Sequence, residues 1–298
     1  MFGRLAYFAE LSMDSTIYFL SDYGLVDGFV GVVESVLHRL APDACVVHLT
    51  HGIARFDVLA GALSLERCVP WLGPGVVLAV VDPGVGGKRR AVALETETSQ
   101  GRTVLVGPDN GLLLPAAKVL GGVRLAVELS RDRLPGDFDP KPHGGDFTPT
   151  TFDGRDLFAP VSAALASGYD LEKIGLRIDP EGLLQPDLPF SQVDQGRLAA
   201  PVLWVDIFGN VQLAAGPQEI AGFPASLLAK VRGLPMIALR RVSSFSSLGE
   251  GEIGLLVDSY GKLALVANRA SAAELLKVGV GDSVELIALG GAHLEAIH

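Results

Sequence analysis

An α/β domain with a largely parallel sheet, followed by a small all-β, barrel-like domain, is the fold class that this sequence predicts. Three observations carry it. Through the first half, short β-rich runs alternate with apolar residues at helical spacing, the rhythm of strand–helix–strand units. One run, 76–81, is apolar at every position, as a strand buried on both faces of a parallel sheet must be. Beyond a stretch broken by prolines, the pattern turns to short strands and turns. The 298 residues, 49% hydrophobic and 19% charged, are enough for two such cores.

The elements follow in order. Residues 16–20 (TIYFL) read as the first strand. Phe29, Val32, Val33, Val36, Leu37 and Leu40 then recur at helical spacing, with Asp27 as the expected cap. A second strand covers 45–49, and a second helix covers 57–69 and stops at Pro70. Strands at 76–81, 91–95 and 103–106 and helices at 112–120 and 156–166 complete an α/β domain over 16–178. Pro180, Pro186, Pro189 and Pro201 interrupt a stretch without period, which marks 179–201 as a linker. Over 202–298, strands at 203–206, 253–257, 263–267 and 283–288 surround a tight turn at 259–261 and a short helix at 272–278.

Composition narrows the function. Residues 1–15 lack the basic start and long apolar stretch of a signal peptide and read as a flexible extension. No apolar run reaches the roughly 18–20 residues that span a bilayer. Cys45 and Cys68 lie in apolar segments and are expected to be buried free thiols of a cytoplasmic protein. The net charge of −10, without a basic patch, argues against nucleic acid as partner. The six histidines show no paired metal spacing, so no metal site is expected.

Ligands of α/β sheets bind in the loops beyond the carboxyl ends of the strands. Three acidic motifs fall there. Ser21-Asp22-Tyr23-Gly24 follows the first strand; Asp22 there either accepts hydrogen bonds from a vicinal diol or closes its own turn. In Asp82-Pro83-Gly84-Val85-Gly86-Gly87-Lys88-Arg89-Arg90 a strand runs into an acid, a glycine-rich loop and two arginines. Asp82 and Arg89 meet across that loop either as a site or as a structural ion pair. Gly107-Pro108-Asp109-Asn110-Gly111 is chiefly a loop-shaping turn. In Thr151-Phe152-Asp153-Gly154-Arg155-Asp156, Asp153 or Asp156 is placed to cap the following helix. Asp206-Ile207-Phe208-Gly209-Asn210 follows a strand of the second domain, where Asn210 either reads an adenine edge or shapes a hairpin.

The order of these motifs is more specific than any one of them. S-D-Y-G, V-H-L-T-H-G-I, V-V-D-P-G-V-G-G-K-R-R, G-P-D-N-G-L-L, T-F-D-G-R-D-L-F-A-P and D-I-F-G-N-V together resemble the S-adenosylmethionine hydroxide adenosyltransferase family, to which fluorinases and chlorinases are related. The resemblance covers almost the whole chain. It implies a seven-stranded α/β domain, a β-barrel domain, and a homotrimer whose sites lie between neighbouring subunits. It also implies hydrolysis of S-adenosylmethionine to adenosine and L-methionine, with no cofactor.

By position, the resemblance gives Asp22 the ribose hydroxyls and packs Phe56 against the ligand, with Thr151 and Phe152 lining the centre. Asp206 takes the methionine ammonium and Ser259 the carboxylate. Phe208 and Asn210 flank adenine, with the backbone of Ala267 and Arg269 on its edge. The hydrolytic members hold the attacking water with an Asp, an Arg and a His. Asp82 and Arg89 match the first two, Asp153 stands at the third, and His143 lies upstream. Two other readings follow from the same motifs. A halogenase would carry Tyr at position 82, a long insertion after that strand and, in the fluorinase, Ser at 154; this chain has Asp82, a short turn at 95–102 and Gly154. A non-catalytic S-adenosylmethionine or adenosine binder would retain the ligand positions without turnover.

Overall fold

The structure is a computed structural model that describes residues 16–140 and 151–288. The chain forms two compact units, Met1–Asp187 and Leu188–His298. The first is built on a seven-stranded sheet of β1 (Thr16–Ser21), β2 (Cys45–Thr50), β3 (Gly75–Val80), β4 (Ala91–Thr98), β5 (Gly101–Pro108), β6 (Leu125–Leu129) and β7 (Gly175–Ile178). Their order is β2-β1-β3-β5-β4-β6-β7. β1 runs parallel to β2 and β3, and β3 to β5. β4 is antiparallel to β5 and β6, and β7 is antiparallel to β6. Five of the seven strands therefore share one direction, so the sheet is mostly parallel as expected.

Helices α1 (Phe29–Leu40), α2 (Val58–Cys68), α3 (Leu114–Val119), α4 (Ala159–Ala166) and the single turn α5 (Leu171–Ile174) complete the unit. β3 shows why its sequence is apolar throughout. Val76, Leu78 and Val80 join the core shared with α1 and α4, while Val77 and Ala79 join the one shared with α2 and α3. Each such Val or Leu contributes about 1.5–3 kcal/mol by leaving water. α2 lies so close to the sheet that a Cβ on Gly61 would stand 2.9 Å from a Val81 methyl.

Several local expectations are corrected. Asp27 does not cap α1; Gly28 holds that position and no side chain caps the helix. Asp57 does cap α2, accepting the Ala60 N–H at 2.9 Å. Cys45 is exposed because β2 is an edge strand, and Cys68 is only half-buried. The helix expected over 156–166 begins instead with a π-helical turn, Gly154–Phe158, before α4. Pro160 has no N–H to offer the Asp156 carbonyl, so the regular bonding pattern cannot run through this point.

The second unit contains β8 (Gln192–Asp194), β9 (Arg197–Val205), β10 (Val211–Leu213), β11 (Ser226–Val231), β12 (Ile237–Arg241), β13 (Ile253–Val257), β14 (Leu263–Ala267), α6 (Ala272–Leu276) and β15 (Ser283–Ala288). β10 pairs with both β14 and β9, which closes a seven-stranded barrel; β8 adds to β9 outside the ring. Leu198, Val202, Leu227, Leu265 and Leu286 are among the residues that fill it. β8 and the start of β9 occupy part of the stretch read as linker. Their hairpin turns on Gln195 and Gly196, both at positive φ, the two-residue turn that suits the twist of paired strands.

Candidate active site

β1, β3 and β6 point the same way, so Asp22, Asp82 and Arg131 all leave the sheet at one edge. There Asp22 and Asp82 border a cleft of about 400 Å³ whose walls also include Tyr23, Phe56, Thr151, Phe152 and Asp153. Asp22, Phe56, Asp82, Thr151, Phe152 and Asp153, the first-unit residues given site roles by the resemblance, therefore line one space, Arg89 excepted. Arg89 lies directly behind Asp82. His143 lies outside the described residues.

The loop after β3 doubles back through two tight turns, with Val85 N–H on the Asp82 carbonyl and Gly87 N–H on the Gly84 carbonyl. This returns Arg89 to the carboxylate. Its Nε donates to Asp82 Oδ1 and Oδ2 at 3.1 and 2.9 Å, and its Nη2 to Oδ2 at 2.5 Å. Both side chains are well buried. Burial alone would lower the Arg89 pKa; the hydrogen bonds and charges of Asp82 and then Asp153 outweigh it, and the net shift is upward. The guanidinium also lies 5.2 Å from the centre of the buried Phe158 ring.

Asp153 precedes the π-helical turn but makes no side-chain cap. Its carboxylate instead accepts Arg89 Nη2 on Oδ2 at 2.5 Å and Arg131 on Oδ1 at 2.8 Å. Asp156 does not cap either; it is buried and paired with Arg155 at 2.6 Å. The capping expectation for this segment is thus overturned. Two guanidiniums claim one carboxylate, and the other acid is taken by its neighbour.

Two groups, one on the cleft wall and one behind it on Asp153, went unread in the sequence. Tyr23 packs with Phe29 and Phe152, and its hydroxyl sits where a Cβ on Gly154 would be, 2.1 Å away. Burial first, then the charges of Asp22, Asp82 and Asp153, push its pKa far up, against a smaller opposing effect of Arg89. Tyr23 therefore keeps its proton and is an O–H donor. Arg131 is the second, and its only sequence signal was an unrecognised strand, β6, two residues before it.

Asp22 has a definite local task. Its Oδ2 accepts the Phe56 N–H at 2.9 Å, and Phe56 is held at φ +66°, a conformation uncommon for a bulky residue. Beneath this loop runs a hydrogen-bonded chain. Ser21 Oγ accepts the Tyr23 N–H at 3.3 Å and meets His51 Nδ1 at 2.7 Å; His51 Nε2 meets His48 Nδ1 at 2.7 Å; His48 Nε2 lies 3.5 Å from Glu34. Burial and then the neighbouring His48 lower the His51 pKa to about 4, so His51 is neutral at neutral pH. Asp109 and Asn110 shape a loop as expected: Asp109 binds Arg90 and the Leu184 N–H, and Asn110 donates to the Val81 carbonyl at 2.9 Å.

On the barrel, Asp206, Phe208 and Asn210 share the β9–β10 turn. Asp206 Oδ1 accepts the N–H groups of Phe208 and Asn210, each at 2.9 Å, and Oδ2 accepts the Asn210 side-chain amide at 2.7 Å. Ala267 ends β14 and Arg269 follows at φ +54°; the pairing of β10 with β14 puts them at the same end of the barrel as that turn. Ser259 lies in the β13–β14 turn, at the other end of that hairpin. Among the described residues, no three His, Cys, Asp or Glu gather as metal ligands would. Nor is any described helix long and apolar enough to cross a membrane.

The chain is similar to known proteins over most of its length. The family model for the SAM hydroxide adenosyltransferase N-terminal domain matches residues 17–175, and that for the C-terminal domain matches 200–285. The chain is 45% identical to the (R)-S-adenosyl-L-methionine hydrolase of Salinispora tropica, over 91% of this chain and 97% of that protein. It is 38% identical to the hydrolase of that name from Thermus thermophilus, over 91% and 99%. A fluorinase of Actinopolyspora mzabensis is more distant, 26% identical over 91% and 96%. A crystal structure of an uncharacterized conserved protein from Thermotoga maritima superposes with a TM-score of 0.79 at 30% identity, covering 91% of this chain and 99% of that one.

Proposed function

The chain belongs to the SAM hydroxide adenosyltransferase family, and from that premise we propose how its cleft hydrolyses S-adenosylmethionine to adenosine and L-methionine. The observation that carries the assignment of roles is the buried Asp82 carboxylate on the cleft wall, fixed by Arg89. The sulfonium makes methionine a neutral leaving group, so its departure needs no acid and the reaction no cofactor. A water oxygen bonds to C5′ while the C5′–S electron pair leaves with sulfur. Asp82 orients this water and takes its proton as the C–O bond forms, after which the proton passes to solvent. A carboxylate is too weak a base to hold hydroxide beforehand. Arg89 and Asp153 keep Asp82 aimed, and the Tyr23 O–H donates within the same space. Asp22 engages the ribose and positions Phe56, while Thr151 and Phe152 line the reacting centre.

The barrel supplies the remaining contacts: Asp206 to the methionine ammonium, and Phe208, Asn210, Ala267 and Arg269 around adenine; Ser259, at the other end of the β13–β14 hairpin, is not grouped with them. The protein acts as a cytoplasmic homotrimer in which the barrel of one subunit completes the cleft of its neighbour. The exposed apolar side chains Leu25 and Val26 on the first unit and Ile207 and Phe208 on the second support such an interface. The hydrolases named above act, by their names, on the (R) form, and the same sulfonium epimer is proposed here.

The test is incubation with each sulfonium epimer and chromatography of the nucleoside product, alongside calorimetric binding. Adenosine from the (R) form is the expected result. A 5′-halo-5′-deoxyadenosine product in halide buffer would establish the halogenase reading, and tight binding without turnover would establish the binder.

A further inference from the structure

The ion cluster does not end at Asp153. Asp153 uses Oδ2 for Arg89 and Oδ1 for Arg131, at 2.5 and 2.8 Å. Arg89 uses one nitrogen, Nη2, for both Asp82 and Asp153. The result is an alternating row, Asp82–Arg89–Asp153–Arg131, of two negative and two positive side chains. Exposure rises along it, from 5% at Asp82 through 13% at Arg89 and 14% at Asp153 to 36% at Arg131.

We propose that Arg131 is a positioning residue for hydrolysis, holding the Asp153 carboxylate in the orientation that fixes Arg89 and, through Arg89, aims Asp82. This rests on the hydrolase reading. A carboxylate facing a single guanidinium can rotate its pair of oxygens and still keep one contact. Held between two guanidiniums on different oxygens, it has one orientation that satisfies both. Arg89 is then gripped on two sides, by Asp82 and by Asp153, and lies over Phe158. Arg131 also balances charge. Without it, two buried carboxylates would share one guanidinium, and their repulsion would favour separating Asp153 from the site. Arg131 is not part of the cleft wall and acts through Asp153, so it is not a catalytic residue.

Arg131→Met keeps an unbranched apolar stem and removes the charge and donors. The expected result is a kcat lowered on the order of 10–100-fold, as misplacement of a reacting group does. KM should change less than about threefold, because substrate contacts stay intact. Arg131→Lys should recover part of the loss. Combined with Asp153→Asn, Arg131→Met should add nothing further, since both break the same link. An unchanged kcat, a loss confined to KM, or losses that multiply in the double variant would each overturn the proposal. A crystal structure of Arg131→Met gives a readout independent of turnover. Asp153 turned away from Arg89 supports the proposal, and an unmoved Asp153–Arg89 pair overturns it even if the parent proved inactive. Adenosine formation by the parent separately decides the hydrolase reading. Should Arg131→Met fail to fold, Arg131→Gln carries the same measurements.

Discussion

At the residue scale, the proposed site rests on two carboxylates, Asp82 and Asp22, given different duties. Asp82 is buried and held by a guanidinium through both oxygens, an arrangement that orients without blocking the cleft side. Asp82→Asn keeps its shape but makes a poor base, and turnover should fall about 10²–10⁴-fold, the usual worth of a positioned base. Ligand affinity by calorimetry should stay close to that of the parent; full activity in this variant would remove Asp82 from the chemistry. The proposed duty of Asp22 is binding instead. Removing a charged acceptor costs about 1.5–3 kcal/mol, so Asp22→Ala should weaken adenosine binding roughly 10–200-fold. The same variant frees the Phe56 N–H, which leaves a strained residue without its anchor. The Asp82–Arg89 pair was legible in the sequence because both ends lie in one short loop. The tie from Asp153 to Arg131 was not, because it spans 22 positions and begins at a turn after an unrecognised strand. A residue before a helix is most economically read as a cap; only tertiary contact shows that its carboxylate is engaged elsewhere.

At the scale of elements, the legible parts were those whose burial is expressed as periodicity. β1, β3, α1 and α2 sit within a residue or two of their expected bounds because each buries a defined face. β6 and β7, of five and four residues, are too short to show a period, and the β8–β9 hairpin is hidden in a stretch dense with proline. The π-helical turn is a tertiary compromise: it brings Phe158 under Arg89 and sets Gly154 against the Tyr23 hydroxyl. Gly154→Ser should therefore not graft a hydroxyl into the cleft. Its Cβ would collide with Tyr23, and both melting temperature and adenosine formation should drop; an unaffected, active Gly154→Ser would show that Tyr23 moves aside freely. The His51–His48 chain makes a separate prediction. Folding lowers the His51 pKa from 6.5 to about 4, so the unfolded chain binds a proton more readily. The stability this contributes is complete above pH 6.5 and is lost as pH falls toward about 4. Melting temperature measured across that window should decline, and His51→Gln should decline less steeply.

At the scale of the whole molecule, each unit has its own core and its own set of candidate ligand groups. The first unit's cleft offers two acids, Asp22 and Asp82, proposed for the ribose and the water, and the barrel's β9–β10 turn offers an amide and a carboxylate of its own. If a trimer joins the cleft of one subunit to the barrel of the next, then loss of Asp82 and loss of Asp206 are defects in opposite halves of a site. Asp82→Asn and Asp206→Ala should each be nearly inactive alone. Co-expressed or unfolded and refolded together in equal amounts, they should form mixed trimers. A site that takes its cleft from an Asp206→Ala chain and its barrel from an Asp82→Asn chain is then intact. With random assembly about one quarter of sites meet that condition, and activity should return to about that fraction of the parent. If the two halves of a site came from one chain, every site in the mixture would carry a defect and no activity would return. Sedimentation analysis of the same mixture fixes the subunit number, which separates a failure to assemble from a failure to complement. A trimer that forms fully yet stays inactive in the mixture would rule out sites shared between subunits.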